Sequence, residues 1–104
     1  MLQTLKSLFG FGPGRELKVL VKNGAQIIDV RTPGEFQSGQ IRGSINIPLQ
    51  NLPGGLSKIN KNKPVITCCA SGIRSGSARN ILKAHGYGEV YNGGGWMSLQ
   101  RKIS

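Results

Sequence analysis

Pro64-Val65-Ile66-Thr67-Cys68-Cys69-Ala70-Ser71-Gly72-Ile73-Arg74-Ser75 decides how this chain is read. Pro64 to Cys68 is a short apolar, β-branched run, the composition of a strand buried on both faces. From Ser75 to His85, Ala78, Ile81 and Leu82 recur at helical spacing, and Gly86 follows as a helix stop. A strand therefore passes into a helix through a few residues, and a thiol sits at that passage.

The same alternation continues outward. Ala25-Gln26-Ile27-Ile28-Asp29-Val30 reads as a second buried strand, preceded by a helix whose face carries Leu17, Leu20 and Val21 and which stops at Asn23-Gly24. After it, Thr32-Pro33-Gly34-Glu35 places an N-cap Thr, a Pro at the first helical position and a Glu three residues after the cap, so a short helix begins there with a capping box. Ser44 to Pro48 reads as an extended piece, Leu49 to Ile59 as a loop with a short helix, and Glu89-Val90-Tyr91 as a third strand before a turn at Gly93-Gly94-Gly95. Apolar strands alternating with helices predict an α/β fold, with a mostly parallel sheet covered on both faces and a site at the carboxyl ends of the strands. Leu2, Leu5, Leu8 and Phe9 form a short amphipathic segment that runs into a Gly/Pro hinge, which divides the chain into residues 1–14 and a domain over 15–104.

With 104 residues the chain is long enough for one cored domain, and sixteen glycines fit a loop-rich protein in which backbone approaches closely somewhere. Fourteen Lys and Arg against four Asp and Glu give a formal charge of +10, which draws anions. The basic residues are scattered and no aromatic-basic pattern accompanies them, which argues against nucleic acid as the partner and for small anions. The two cysteines are adjacent, so neither a disulfide framework nor a CxxC metal or redox motif is formed. Polar residues interrupt the N-terminal apolar segment, and no apolar run is long enough to span a membrane, so the expected location is the cytoplasm.

Cys69 is the candidate nucleophile. The amide groups of Ala70, Ser71, Gly72, Ile73, Arg74 and Ser75 curl between strand and helix, and the helix start and the Arg74 cation favour negative charge at the same point. Those effects lower a thiol pKa and favour the thiolate, while Gly72 supplies the left-handed backbone that a curled loop needs. His85, the single histidine, falls at the far end of the following helix and is read as a C-terminal helix residue rather than a catalytic partner. Cys68 points to the opposite face from Cys69 and packs in the core. No His, Cys, Asp and Glu cluster calls for a metal, and nothing calls for a cofactor; the three consecutive glycines lack the rest of a nucleotide fingerprint.

These motifs together resemble those of rhodanese domains. Asp29-Val30-Arg31 with Glu35-Phe36 and Gly39 to Pro48 is similar to the family's first signature, Cys69 to Ser75 to its active-site loop, and Val90 to Trp96 to its closing strand and turn. Two positions depart from the pattern: Gln40 stands where many members have His, and Cys68 where an aromatic or aliphatic residue is usual. The resemblance implies a three-layer rhodanese-like fold and a sulfurtransferase that forms a persulfide on Cys69. The donors it implies are thiosulfate or polysulfide, and the acceptors are cyanide or a thiol. It also implies that Asp29 and Arg31 brace the loops, by hydrogen bonds and by ion pairing with Glu35. Phosphatases related to this fold have one more residue between Cys and Arg, so the shorter loop here suits a single sulfur atom. The alternative is a sulfur-carrier or binding module of the same fold, docking an acidic protein through its basic surface.

Overall fold

The computed structural model describes residues 13–104; the amphipathic segment around Leu2, Leu5, Leu8 and Phe9 lies outside the described residues. Helix α1 spans Pro13–Lys22, strand β1 Gln26–Asp29, helix α2 Pro33–Gln37 and strand β2 Ile45–Asn46. Two 3₁₀ turns, Leu49–Asn51 and Leu56–Lys58, lead to β3, Val65–Cys69, and then come α3, Ile73–Ala84, β4, Val90–Gly95, and α4, Trp96–Ile103. Pro13 and Gly14, read from sequence as part of a hinge, belong instead to the first turn of α1, where a proline costs nothing because its missing N–H has no intrahelical partner.

All four strands are parallel, in the order β2-β1-β3-β4. Strand alternation divides the interior into two cores, one on each face of the sheet. Ile28, Val30, Val65 and Cys69 pack with Ala78 and Leu82 of α3 and with Ile47, Leu52 and Ile59 around the 3₁₀ turns. On the other face, Ile27, Ile66 and Cys68 pack with Leu17 of α1 and Leu99 of α4. The Tyr87 hydroxyl ties down the 3₁₀ segment by reaching the carbonyls of Leu56 and Ile59 at 2.9 and 3.1 Å.

The capping box is complete: the Thr32 hydroxyl accepts from the Glu35 N–H, and the Glu35 carboxylate accepts from the Thr32 N–H. Two other elements differ from their sequence reading. Gly93, Gly94 and Gly95 are the last residues of β4, not a turn, because Trp96 opens a further helix directly after them. That helix went unread, although Trp96, Leu99 and Ile103 stand at helical spacing, since a run of three glycines signals a break.

The two central strands send their chains to opposite sides, β1 toward β2 and β3 toward β4, so a crevice opens beyond their carboxyl ends. Both candidate motifs sit there, one after β1 and one after β3.

The close packing of β4 yields a prediction. A Cβ on Gly93 would lie 2.8 Å from Ile66 Cγ2 and 2.8 Å from the Thr67 carbonyl oxygen, whereas one on Gly34 meets nothing. Gly93→Ala should cost about 2 kcal/mol and lower Tm by roughly 10 °C. Gly34→Ala, in helix α2, should leave Tm unchanged or raise it slightly. Thermal unfolding followed by circular dichroism measures both, and equal Tm values for the two variants would contradict the packing described.

Candidate active site

Cys69 is the last residue of β3 and pairs with Gly95 of β4, two positions after Thr67 pairs with Asn92. Between those pairs β4 spends one residue more than β3, a bulge that turns the end of β3 out of the regular ladder. The chain then curls back through Ala70-Ser71-Gly72, with Gly72 in the left-handed region at φ 109°. Its Cα side faces β4: a Cβ on Gly72 would stand 3.4 Å from Gly94 Cα, and one on Gly95 would stand 2.9 Å from the Ala70 carbonyl oxygen. The Gly94-Gly95 backbone is thus a wall of the loop.

The curl aims hydrogen-bond donors at the sulfur. Cys69 Sγ accepts the N–H of Gly72 at 3.0 Å and of Ser75 at 3.3 Å, and the Ser75 hydroxyl oxygen lies 3.5 Å away. Burial pushes the Cys69 pKa up, but the Ser75 hydroxyl and the N–H groups of Ser75, Gly72 and Ser71 outweigh it, and the pKa is lowered. The sequence places the thiol at the passage from strand to helix, where it would be expected to be accessible. Instead it has no exposed surface, because the curl closes over it while Ala70 and Ser71 take the solvent side. Cys68 faces the opposite core, where burial and the Asp29 charge push its thiol up to about 12.

Arg74 and Ile73 begin α3 and do not close on the sulfur. Ile73 is 80% exposed. The Arg74 guanidinium forms a two-pronged pair with Glu35, Nη1 to Oε1 at 2.8 Å and Nη2 to Oε2 at 3.0 Å. That bond, with the Thr32 N–H second, lowers the Glu35 pKa to about 2. The ion pairing predicted between Arg31 and Glu35 is therefore corrected: the Glu35 carboxylate binds Arg74, and Arg31 reaches only the Glu35 carbonyl, at 3.1 Å.

Arg31 is buried and spends its guanidinium within the fold. Nε and Nη2 donate to the Asp29 carboxylate at 3.0 and 2.7 Å, Nη2 also reaches the Gly39 carbonyl at 2.7 Å, and the guanidinium lies over the Trp96 ring, 4.6 Å from its centre. By holding the Glu35 and Gly39 carbonyls, Arg31 fixes both ends of α2, and hence the carboxylate that orients Arg74. Asp29 and Arg31 thus stand behind the loop and not in it.

Asn92 escaped sequence reading altogether. From β4 its Oδ1 accepts the Gly94 N–H at 2.9 Å and the Ser75 hydroxyl at 2.6 Å, while its Nδ2 donates to the Gly72 carbonyl at 3.3 Å. No spacing in the chain advertises this, since Gly72 and Ser75 lie at the start of α3, 20 and 17 residues before Asn92. His85 caps the far end of α3, with Nδ1 2.9 Å from the Ile81 carbonyl oxygen.

Comparison with known proteins agrees with this arrangement. The family model for the rhodanese-like domain matches residues 14–102. The Bacillus subtilis protein YqhL is 46% identical over 68 residues, which cover 65% of this chain and 54% of YqhL, so the chain spans about half the length of that relative. Thiosulfate sulfurtransferase PspE of Escherichia coli is 40% identical over 70 residues, covering 65% of this chain and 67% of PspE. Among solved structures, an E. coli rhodanese determined with anions superposes with a TM-score of 0.68 at 36% identity, over 72% of this chain and 91% of its own. A family match that runs from the first helix to the last, over a parallel sheet with a cysteine loop at its carboxyl edge, places the chain in the rhodanese-like domain family.

Proposed function

We propose that this chain is a sulfurtransferase that carries a sulfane sulfur as a persulfide on Cys69. The observation that carries this reading is the convergence of uncharged donors on one sulfur: two N–H groups within 3.3 Å of Sγ, with the Ser75 hydroxyl beside them. Such a set stabilises a thiolate or a persulfide anion without a general base. The name of PspE supports thiosulfate as a donor.

In the first half-reaction the Cys69 thiolate attacks the outer sulfur of thiosulfate. A new S–S bond forms, the old one breaks, and sulfite leaves with its electron pair. In the second, cyanide or a thiolate attacks the terminal persulfide sulfur, and the Cys69 thiolate returns. Donor and acceptor exchange one neutral sulfur atom, so no outside oxidant or reductant is required. Polysulfide donates in the same way. Four residues between Cys69 and Arg74 leave room for little more than one sulfur atom. Two free thiols fit a reducing compartment such as the cytoplasm, and no helix among the described residues is long and apolar enough to cross a membrane.

A second reading, delivery of sulfur to an acidic protein, draws support from the rim. Ile73 at 80% exposure and Met97 at 55% flank the loop on a chain of net charge +10. Such apolar tips within a positive field suit protein docking.

Cys69→Ser should abolish transfer, and Cys68→Ser should retain most of it. After exposure to thiosulfate and desalting, the protein should weigh one sulfur atom more, and cyanide should remove the increment. A Cys68→Ser protein that folds yet takes up no sulfur would defeat the single-cysteine mechanism.

The pH dependence follows from the lowered Cys69 pKa. The thiolate is the reactive form, so kcat/KM should rise with pH and level off below the ordinary thiol pKa of about 8.5. A midpoint above that value, in a protein still folded, would contradict the donor set around Sγ.

Arg74→Ala should lower kcat/KM for thiosulfate about tenfold or more, on the order of 1.4 kcal/mol, because it leaves the Glu35 carboxylate unpaired where an anionic donor must approach and frees the first turn of α3. Glu35→Gln should lower it less. The double variant should be no worse than Arg74→Ala alone, because the carboxylate acts through the guanidinium; additive losses in steady-state kinetics would assign Glu35 a separate role.

A further inference from the structure

Ser75 carries one hydroxyl proton, and three acceptors compete for it. Asn92 Oδ1 is 2.6 Å from the hydroxyl oxygen, the Gly72 carbonyl 3.0 Å and Cys69 Sγ 3.5 Å. A hydroxyl donates once and accepts elsewhere. With Cys69 protonated, the three side chains form a directed chain: the thiol donates to Ser75 Oγ, and Ser75 donates to Asn92 Oδ1. With Cys69 ionised, the thiol proton has gone to solvent and the Ser75 hydroxyl is of most use when turned to the sulfur. Asn92 Oδ1 then keeps only the Gly94 N–H.

We propose that Asn92 is a positioning residue that, by accepting the Ser75 hydroxyl proton, decides when that proton is offered to the sulfur. This rests on the reading of Cys69 as the sulfur carrier, and it deepens it. While Cys69 is a thiol, the Ser75 hydroxyl is satisfied by a short hydrogen bond to Asn92 Oδ1, and it is released to sulfur as negative charge develops there. Asn92 is suited to this duty because its other bonds do not depend on the charge at sulfur. The Gly94 N–H holds Oδ1 in place, and Nδ2 ties the Gly72 carbonyl whose peptide plane begins the loop's turn into α3. The charged and titratable groups around the sulfur are few. Arg74 of α3 has its guanidinium turned to Glu35; Cys68 adjoins the sulfur on β3; Asp29 of β1 is paired with Arg31. The residues of β4 that touch the loop, Asn92 to Gly95, carry no charge.

The test is a titration of Cys69 by thiolate ultraviolet absorbance in a Cys68→Ser background, which needs no turnover. Of the bonds that Asn92→Ala removes, the one from the Ser75 hydroxyl belongs to the thiol form and those to Gly94 and Gly72 to both forms, so three- to tenfold more thiolate should be present at mildly acid pH, the worth of about one neutral hydrogen bond. Asn92→Asp keeps the acceptor, strengthens its hold on the hydroxyl and adds negative charge, so its thiolate fraction should fall. Opposite shifts distinguish proton competition from loss of loop structure, which would move both variants the same way. In a Ser75→Ala background the Asn92→Ala shift should shrink below one third of its size. Shifts of the same sign in the two Asn92 variants, or an Asn92→Ala shift that persists without the Ser75 hydroxyl, would overturn the proposal. Should Asn92→Ala fail to fold by circular dichroism, the near-isosteric Asn92→Asp is titrated with and without the Ser75 hydroxyl: a thiolate fraction that does not fall, or a fall as large in the Ser75→Ala background, refutes the proposal. The carrier reading is tested separately on the same proteins by the mass gained from thiosulfate, so a failure of either is visible without the other.

Discussion

Behind the sulfur loop stands a buried ion pair. Asp29 is fully buried at the end of β1, Arg31 is 3% exposed two residues later, and each charge is compensated only by the other and by fixed hydrogen bonds. Arg31 N–H and Nε both reach Asp29 Oδ1, Nη2 reaches Oδ2, and the rest of the fork is spent on the Glu35 and Gly39 carbonyls. Desolvation makes such a pair a poor source of net stability, but removing one partner leaves an uncompensated buried charge, which typically costs 3–5 kcal/mol. Its use here is geometric. The guanidinium is held in one plane by a carboxylate on one edge and the Trp96 ring on its face, so the two carbonyls it binds have fixed positions. Gly39 belongs to the same stack, since a Cβ there would press to 2.9 Å from Trp96 Cη2.

From that point the constraint passes outward to the site through short-range links. Arg31 holds Glu35 by its backbone, the capping box holds its side chain from the other direction through Thr32, and the carboxylate so fixed takes both Arg74 donors. Arg74 lies in the first turn of α3, the helix that delivers the Ser75 N–H to the sulfur. On the opposite side, the extra residue in β4, the left-handed backbone at Gly94 and the absence of a side chain at Gly95 let the loop settle against a strand edge. The sulfur is therefore held between two independently fixed walls, one from β1–α2 and one from β4. Preorganised donors of this kind need no rearrangement when charge develops.

Much of this was legible in the sequence where a local rule governs the outcome. The three apolar runs became strands, and Thr32 to Glu35 formed the capping box because both halves of that motif lie within four residues. Cys68 and Cys69 fell on opposite faces because strand geometry allows nothing else. The misreadings at the site are non-local, whereas those at Pro13-Gly14 and at the start of α4 come from reading Gly and Pro as breaks. Glu35 was assigned to the nearer arginine, Arg31, but Asp29 had already claimed that guanidinium inside the protein, and the free carboxylate found Arg74, 39 residues away in sequence. The three glycines looked like a turn because composition cannot distinguish a turn from a strand that must lie flat against a loop. Asn92 left no signal, since its importance comes from Gly72, Ser75 and Gly94 meeting around it.

Charge also acts differently from what its abundance on the chain implies. The surface carries +10, yet the groups that touch Sγ are peptide N–H donors and a hydroxyl, and the nearest cation is neutralised by its own carboxylate. A bare cation beside the sulfur would bind sulfite and other small anions as readily as the donor and hold the product after transfer. Neutral donors inside a closed curl favour charge localised on one atom at the centre of the curl, where a thiolate or the terminal sulfur of a persulfide sits. A tetrahedral oxyanion presents its charge over several oxygens and does not fit that point. The long-range field then serves encounter, falling off within about 10 Å at moderate salt, and the loop decides what reacts.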